Sequence, residues 1–424
     1  IKNGKLGANT KLPPQRELAD YLDLNLTTIT KAYKLCEMRG LIHAVVGKGT
    51  FVSPYANVPT SVLDKEPWEQ IELASIHPYY QHNKLIRDIA VEVLKKPFSE
   101  QLFETSYPLG NWNQLKAGAD WLCKTGLQTH IKHTLITAGV QNALSTILSA
   151  LFEAGDKIVV DLYTYPNFIG LASLLHLQLI PVESDSQGMR SDLLESVCSN
   201  QKIKGIYLMP NGNNPTNLPC SASRRLELIA LIKRNNLITI EDNDCSALLL
   251  KKLPPLASEL PEHCISISGL SKPVSPGLRI AYLHVPSRFH DALERASLHL
   301  NLKIPSLNIE IATELIQSGL VTQIADEKRE MSVIRNRIYY EYFPSESPYP
   351  VAYFQWLTLP EYCSGRLCEV ALGAERFAAG SQAKCNAIRV ATCSPSDEAS
   401  LRQGLEGIRQ FIIEEQKNAS SYKV

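Results

Sequence analysis

At 424 residues, with 44% hydrophobic and 20% charged side chains, the chain is long enough for a large α/β body plus a small module. Its formal net charge of zero gives no bulk signature of a nucleic-acid or membrane binder, and ten scattered cysteines without a C-x-x-C pair argue against a disulfide framework or a zinc site. No run of apolar residues is long enough for a membrane span and no signal-peptide pattern is present, so a cytoplasmic protein without a bound metal is expected. The sequence starts at Ile1, not Met, which reads as a truncated or processed N-terminus.

Charge is not spread evenly. Residues 1–53 carry eight basic side chains (Lys2, Lys5, Lys11, Arg16, Lys31, Lys34, Arg39, Lys48) against four acidic ones (Glu17, Asp20, Asp23, Glu37), the asymmetry that phosphate contacts need. Pro13 and Pro14 open a helix running to Leu22, because proline is tolerated in the first turn. Asn25 is an N-cap for a second helix over about Leu26–Arg39, with Gly40 as its stop. Leu18, Leu22, Leu24, Ile29, Ala32, Tyr33 and Leu35 are the expected core. Extended runs at Leu41–Val46 and Thr50–Ser53 hinge on Gly47-Lys48-Gly49. Helix, three-residue turn, helix and glycine hairpin describe a winged helix-turn-helix over 1–53.

The residues "LPPQRELADYL…TTITKAYKLCEMRGLI…GKGTFV" closely resemble the DNA-binding domain of GntR-type regulators. That resemblance implies double-stranded DNA as a partner, with Arg16, Thr27, Thr28, Thr30, Lys31 and Lys48 reaching phosphates or base edges, and Lys34 and Arg39 merely solvated. In that family a helix precedes the segment matching Ile1–Lys5, and it is expected to be missing here. The recognition helix of the family begins Ser-Arg; here the pair is Asn25-Leu26, which predicts an altered sequence preference.

Pro54, Pro59, Ser61 and Pro67 mark 54–75 as a linker. Beyond it, over 76–420, short apolar runs alternate with helical stretches. The runs are Lys157–Asp161, Gln178–Pro181, Gly205–Met209, Leu237–Glu241, Ile265–Ser268 and Arg279–Leu283; Gln141–Leu151 and Arg224–Asn235 are helical. That order predicts a mostly parallel sheet covered by helices on both faces. A final helix starts at Ser394-Pro395-Ser396-Asp397 and shows one face at Leu401, Leu405, Ile408 and Ile412.

Polar groups at the carboxyl ends of such strands are where a ligand gathers. Asn214, Asp242 and Lys272 each follow an apolar run. Singly they are a loop residue, a cap and a surface amine; together with their flanking residues they resemble the pyridoxal-phosphate (PLP) aminotransferases of fold type I. "SISGLSKPVSPGLRIAYL" matches the segment bearing the cofactor lysine, which implies Lys272 as the amine that bonds the aldehyde, Ser271 beside it and Arg279 on the phosphate. "MPNGNNPTN" implies Asn214 at the phenolic oxygen, and "ITIEDNDC" implies Asp242 at the pyridine nitrogen. "ITAGVQNAL" implies Gly139, Val140 and Gln141 around the phosphate, "YTYPNF" an aromatic ring at Tyr165, and "NAIRVATCS" an arginine at Arg389 for an effector or substrate carboxylate.

A GntR-like module joined to such a body resembles the MocR subfamily of regulators, which implies PLP as cofactor, a homodimer to whose neighbouring site Tyr107 contributes, and sensing of PLP or an amino compound. Four departures bear on the chemistry. Gly269 replaces a phosphate-binding serine, leaving Ser268 or Ser271 as substitutes; Cys245 stands where a tyrosine is expected; Asn217 replaces the glycine after N-P-T; and Val351-Ala352 replaces a glycine pair. The alternatives are a working aminotransferase of the 2-aminoadipate or aromatic type, and a regulator that acts through protein contacts alone.

Overall fold

The structure, a computed structural model, describes residues 6, 10–38, 41–45, 47–52, 71–97, 99–249, 253–345, 351–363, 368, 370–380 and 386–421. Contacts divide the chain into two compact units, Ile1–Lys65 and Glu66–Val424.

In the first unit, α1 (Gln15–Leu22) follows Pro14 and stops where Asp23 turns left-handed at φ 53°. Asn25 caps α2 (Leu26–Met38) as expected: its side-chain oxygen accepts the Thr27 N–H at 2.8 Å. Arg39, Gly40, Val46 and Ser53 lie outside the described residues. β1 (Ile42–Val45) pairs antiparallel with β2 (Gly49–Val52) across a turn in which Gly47 and Gly49 take φ of 75° and 113°. A third edge, unseen in the sequence, comes from 10–12: the Val52 N–H donates to Thr10 O and the Leu12 N–H to Thr50 O, both at 2.9 Å.

The core of this unit is Ala19, Ile29, Tyr33 and Ile42, with Leu12, Leu18, Cys36 and Leu41 packed around it. Leu22, Leu24, Ala32 and Leu35, expected inside, are exposed. The reason is helical phase. Ile29, Tyr33 and Cys36 form the inward stripe of α2, and Ala32 and Leu35 fall on the adjacent one. On the two-turn α1 only Ala19 is fully buried.

In the second unit the chain runs through α3 (Asn83–Lys95), α4 (Trp112–Lys124), β3 (Thr134–Thr137), α5 (Val140–Leu151), β4 (Lys157–Asp161), α6 (Pro166–Leu174) and β5 (Gln178–Val182). A small hairpin of β6 (Ser184–Asp185) and β7 (Gly188–Met189) precedes α7 (Ser191–Asn200), β8 (Gly205–Leu208), α8 (Ala222–Asn235), β9 (Ile238–Asp242), β10 (Cys264–Gly269) and β11 (Ala281–His284). The seven-stranded sheet has the order β3-β11-β10-β9-β8-β4-β5 and is parallel from β10 to β5, with β11 antiparallel to both its neighbours.

Both faces of this sheet are covered, and the strands show it by alternation. Ile158, Val160 and Tyr207 enter a core shared with α5 and α6, whereas Val159, Ile206 and Leu208 enter another shared with α8. Helices α9 (Ser287–Asn301), α10 (Ser306–Gln317) and α11 (Leu320–Tyr342) then lead to a three-stranded antiparallel sheet, β12 (Gln355–Thr358), β14 (Ala387–Val390) and β13 (Leu372–Gly373) in that order. α12 (Glu398–Ser421) closes the chain; Asp397 Oδ1 accepts the Ser400 N–H at 2.7 Å, and Leu401, Leu405 and Ile408 are fully buried.

Of the stretch read as a linker, only 71–75 is described, and it packs into the body. Leu73 is fully buried, its N–H donates to Val370 O at 2.8 Å, and its carbonyl accepts the Ala391 N–H at 2.7 Å. The proline-based boundary therefore runs a few residues too far.

Candidate functional site

Three adjacent parallel strands bring the candidate residues to one edge of the sheet. β9 ends in Glu241 and Asp242, and strand alternation sends their side chains to opposite faces. Glu241 is fully buried and accepts the backbone N–H groups of Leu256 (2.7 Å) and Ala257 (3.3 Å), so it fixes a loop. Asp242 shares its face with Ile240 and Tyr207; it accepts the Tyr207 hydroxyl at 2.9 Å and the Asp244 N–H at 3.0 Å. Burial, reinforced by the Asp244 carboxylate, raises the Asp242 carboxyl above the usual range, and the charge of Lys272 acts the other way.

Lys272 sits on the turn after β10, half-buried, with its carbonyl accepting the Tyr353 hydroxyl at 2.6 Å. The ammonium of Lys328, a fully buried side chain of α11, donates to Val274 O at 2.5 Å and to Lys272 O at 3.4 Å. These two props, with Tyr207, were missed in the sequence: each lies tens of residues from the group it holds, and only folding joins them.

Asn214 follows β8 and is buried at 5% exposure. Its side-chain oxygen accepts Arg389 Nη1–H at 2.8 Å, while Arg389 Nη2–H donates to Ala74 O at 2.6 Å. Arg389 is itself buried on β14, its guanidinium 4.9 Å from the Phe377 ring centre, and desolvation lowers its pKa to about 10. Asn217 explains one departure: it takes φ 55°, the left-handed region in which Asn is the best-tolerated substitute for Gly. Arg225 was not foreseen; it holds this loop through the carbonyls of Pro210 (2.9 Å) and Cys220 (3.2 Å).

On the other side, Gly139 takes φ 86° just before α5, and a Cβ there would lie 2.7 Å from Arg279 Nη2, so the glycine is what admits the guanidinium to the start of the helix. Val140 and Gln141 form the first turn, whose N–H groups and dipole favour an anion. Tyr165 precedes α6 and accepts Asn167 Nδ2–H at 3.0 Å; its phenol is raised by burial and by the charges of Asp242 and Asp244. Ser271 is buried beside Lys272. Ser268 points away from Gly269 across the strand and accepts Trp121 Nε1–H at 3.0 Å, so of the two substitute hydroxyls only Ser271 remains.

Among the described residues, three buried polar atoms here lack a hydrogen-bond partner: Gln141 Oε1, Arg389 Nε and Asp244 Oδ1. Unmet groups of this kind mark a place for a ligand. Amine, strand-end acid, anion-favouring helix start and arginine suit a phosphorylated pyridine aldehyde at every point but one, the carboxylate of Asp244.

In the first unit Arg16, Thr27, Thr28, Thr30, Lys31 and Lys48 are all exposed. Thr27 Oγ1 donates to Asn25 Oδ1 at 2.7 Å and Thr30 Oγ1 to Gln15 Oε1 at 2.9 Å, which leaves Thr28 and Lys31 at the start of α2 with no such contact to a side chain among the described residues.

Residues 1–52 match the family of bacterial regulatory proteins, gntR family, and residues 70–340 match aminotransferase class I and II. The chain is 37% identical to the HTH-type transcriptional regulator YdeF of Bacillus subtilis over 97% of its own length and 92% of that protein's. The chain belongs to the MocR-type GntR regulators. It is also 26% identical to the vitamin B6 salvage pathway transcriptional repressor PtsJ of Salmonella typhimurium, over 80% of this chain and 75% of that one. Among solved structures, the kynurenine aminotransferase of Pyrococcus horikoshii (TM-score 0.74, 23% identity, 82% of this chain and 91% of that chain) shares the fold of the body. The α-aminoadipate aminotransferase LysN of Thermus thermophilus shares it too (TM-score 0.75, 20% identity, 82% and 93%). Aminotransferases of this class depend in general on PLP. Among the described residues of this regulator no helix is long and apolar enough to cross a membrane.

Proposed function

We propose that this regulator is a cytoplasmic protein that binds PLP in its body and changes its DNA affinity when PLP or an amino compound occupies the site. The observation that carries the reading is that Asp242 ends β9 and Lys272 follows the end of the adjacent parallel strand β10, in a chain whose first unit is a winged helix-turn-helix. The similarity to a repressor named for vitamin B6 salvage supports it.

In this reading the Lys272 amine would hold the aldehyde, with release of water, and Asp242, whose ionised form Tyr207 and the Asp244 N–H favour, would pair with the ring nitrogen. Asn214 would serve the phenolic oxygen and Tyr165 the ring, and Gly139, Val140, Gln141, Ser271 and Arg279 would hold the phosphate. The cofactor supplies an electrophilic carbonyl that captures amines. Arg389 meets a carboxylate of the incoming amino compound through Nε, the one nitrogen it does not already spend on Asn214 and Ala74. Arg16 and Lys48 contact phosphates, and Thr28 and Lys31 read bases with Thr27 and Thr30. Tyr107 reaches the neighbouring site of a second copy in a homodimer in this reading, which its 67% exposure supports.

A spectrum of the purified protein with and without added PLP tests the body: a visible band that needs Lys272 is expected and is absent in Lys272→Ala. Rapid loss of that band with keto-acid release on adding amino acids would instead favour an active aminotransferase. For DNA, selection from random duplexes at moderate salt should return a preferred sequence, with affinity falling steeply as salt rises.

A further inference from the structure

The phosphate end of the cradle already contains an acid. Gly269 ends β10 three residues before Lys272, and a Cβ built on it would lie 2.2 Å from Asp244 Oδ1, 3.2 Å from Asp244 Cγ and 2.8 Å from Val140 Cγ2. The Asp244 carboxylate therefore fills the room that a serine side chain would need, wedged between the end of β10 and the first residue of α5. Gly269 is what lets it in. Oδ1 is buried without a hydrogen-bond partner, so hydrogen bonding does not account for its position. Burial raises the Asp244 carboxyl above the usual range, and the charges of Lys272 and Arg279 act the other way, favouring the ionised form; the start of α5 adds its dipole. Those are the groups that a phosphate would otherwise claim.

Resting on the PLP reading above, we infer that Asp244 is a resident counter-ion of the phosphate cradle, which competes with the cofactor's phosphate for Lys272, Arg279 and the α5 N-terminus. A phosphoryl group brought beside a carboxylate in a poorly hydrated site is opposed by like-charge repulsion. One of the two anions has to move. Asp244 has somewhere to go: with Gly269 it also lines a cavity of about 360 Å³, on whose other walls stand Lys124, Thr125, Thr322 and the Arg329–Asp326 ion pair. Turned toward that cavity, the carboxylate gives up the cradle and faces Lys124 and that pair. The result is a site of two arrangements, closed by its own carboxylate or opened by phosphate. This makes PLP a reversible ligand whose level can be read, not a tightly held prosthetic group.

The test measures dissociation constants for PLP, for pyridoxal (the same aldehyde without phosphate) and for inorganic phosphate, on the full chain and on Asp244→Asn, Asp244→Ser and Asp244→Glu. Asp244→Asn and Asp244→Ser should tighten PLP and inorganic phosphate by about tenfold or more and leave pyridoxal within about twofold; Asp244→Glu, which keeps the charge, should tighten neither. Unchanged or weaker PLP and phosphate binding in both neutral variants, with circular dichroism showing them folded, overturns the counter-ion. If PLP binds none of the four proteins the cofactor reading fails, and the phosphate arm then decides the counter-ion by itself: tightening in the neutral variants sustains it, no tightening overturns it.

Discussion

The two ends of the candidate site are built differently. At the ring end the acid and the lysine segment are held by hydrogen bonds: Asp242 accepts from Tyr207 and from the Asp244 backbone, and the Lys272 segment hangs from Tyr353 and Lys328. At the phosphate end a serine is lost to Gly269, and Gln141 Oε1 and Asp244 Oδ1 are buried with no hydrogen-bond partner among the described residues. The ring end is prepared for one occupant, and the phosphate end is in balance between two. A pocket kept only as a remnant of its fold would not keep the strand-end acid and the lysine segment so firmly held. The contrast locates the regulator's adjustable part at the phosphate.

The strongest way to break this comparison is at the ring end. Lys272→Ala should abolish the visible band outright, and Asp242→Ala should weaken PLP by roughly a hundredfold, because it removes a charge-assisted hydrogen bond in a buried setting (about 2–3 kcal/mol). Absorbance titration checks both. A full-strength band in Lys272→Ala would remove the ring end from the account.

Next in size is a steric test of the phosphate end. Gly269→Ser restores the missing hydroxyl but places Cβ 2.2 Å from Asp244 Oδ1, so it should lower the unfolding free energy by about 1–3 kcal/mol. Asp244→Ala in the same chain should recover most of that loss. A denaturant double-mutant cycle reads the coupling. Additive effects would mean that the two residues do not share that space.

How much of this was legible beforehand follows from the range of the interactions. Lys272, Asp242, Asn214, Arg279 and Arg389 announce themselves because each sits in a local run of residues whose strand-turn chemistry is fixed nearby. The position of Asn217 could be read as a departure, but not its φ of 55°, which is what makes asparagine acceptable there. Asp244 carries no such local mark, because the strand-end pattern points to Cys245, the next residue. Only the three-dimensional neighbourhood of Gly269 shows which of the two enters the cradle. In the winged unit the pattern gave the elements and misplaced the core, since in so small a body one helical stripe separates the buried Tyr33 from the exposed Ala32. The N-terminal edge at 10–12 and the packing of 71–75 against the body depend on partners far along the chain, and no local signal marks them.

A third experiment concerns the prop beneath the lysine. Burial lowers the Lys328 ammonium to about 7, below its value in an unfolded chain. Between about 7 and the ordinary lysine value the unfolded chain therefore binds the extra proton, and the contribution of Lys328 to stability rises with pH across that window and is flat on either side. The stability difference between the wild type and Lys328→Met should accordingly change by up to about 1.4 kcal/mol per pH unit in that window. Thermal unfolding at a series of pH values reads it; a difference independent of pH would mean that the amine titrates alike in the folded and unfolded chain, and that burial does not lower it.

The smallest effect expected is the most specific to the comparison. Tyr207→Phe keeps the ring that stacks on Phe168 at 3.9 Å between centroids and removes only the hydroxyl that donates to Asp242. A single buried hydrogen bond of this kind contributes about 1 kcal/mol, so the fold should survive with little change. The hydroxyl favours the ionised acid, against burial and the neighbouring Asp244, so its loss raises the carboxyl further. If the ionised form is what receives the ring nitrogen, PLP affinity should fall by a few-fold on the acid side, where the variant's carboxyl is protonated and the wild type's is not. It should return to the wild-type value as pH rises through the raised pKa. The same substitution should leave inorganic phosphate binding unchanged at every pH, because that ligand engages the other end of the site. A Tyr207→Phe protein whose PLP and phosphate affinities drop together would show that the two ends are one unit, and the division drawn between them would have to be abandoned.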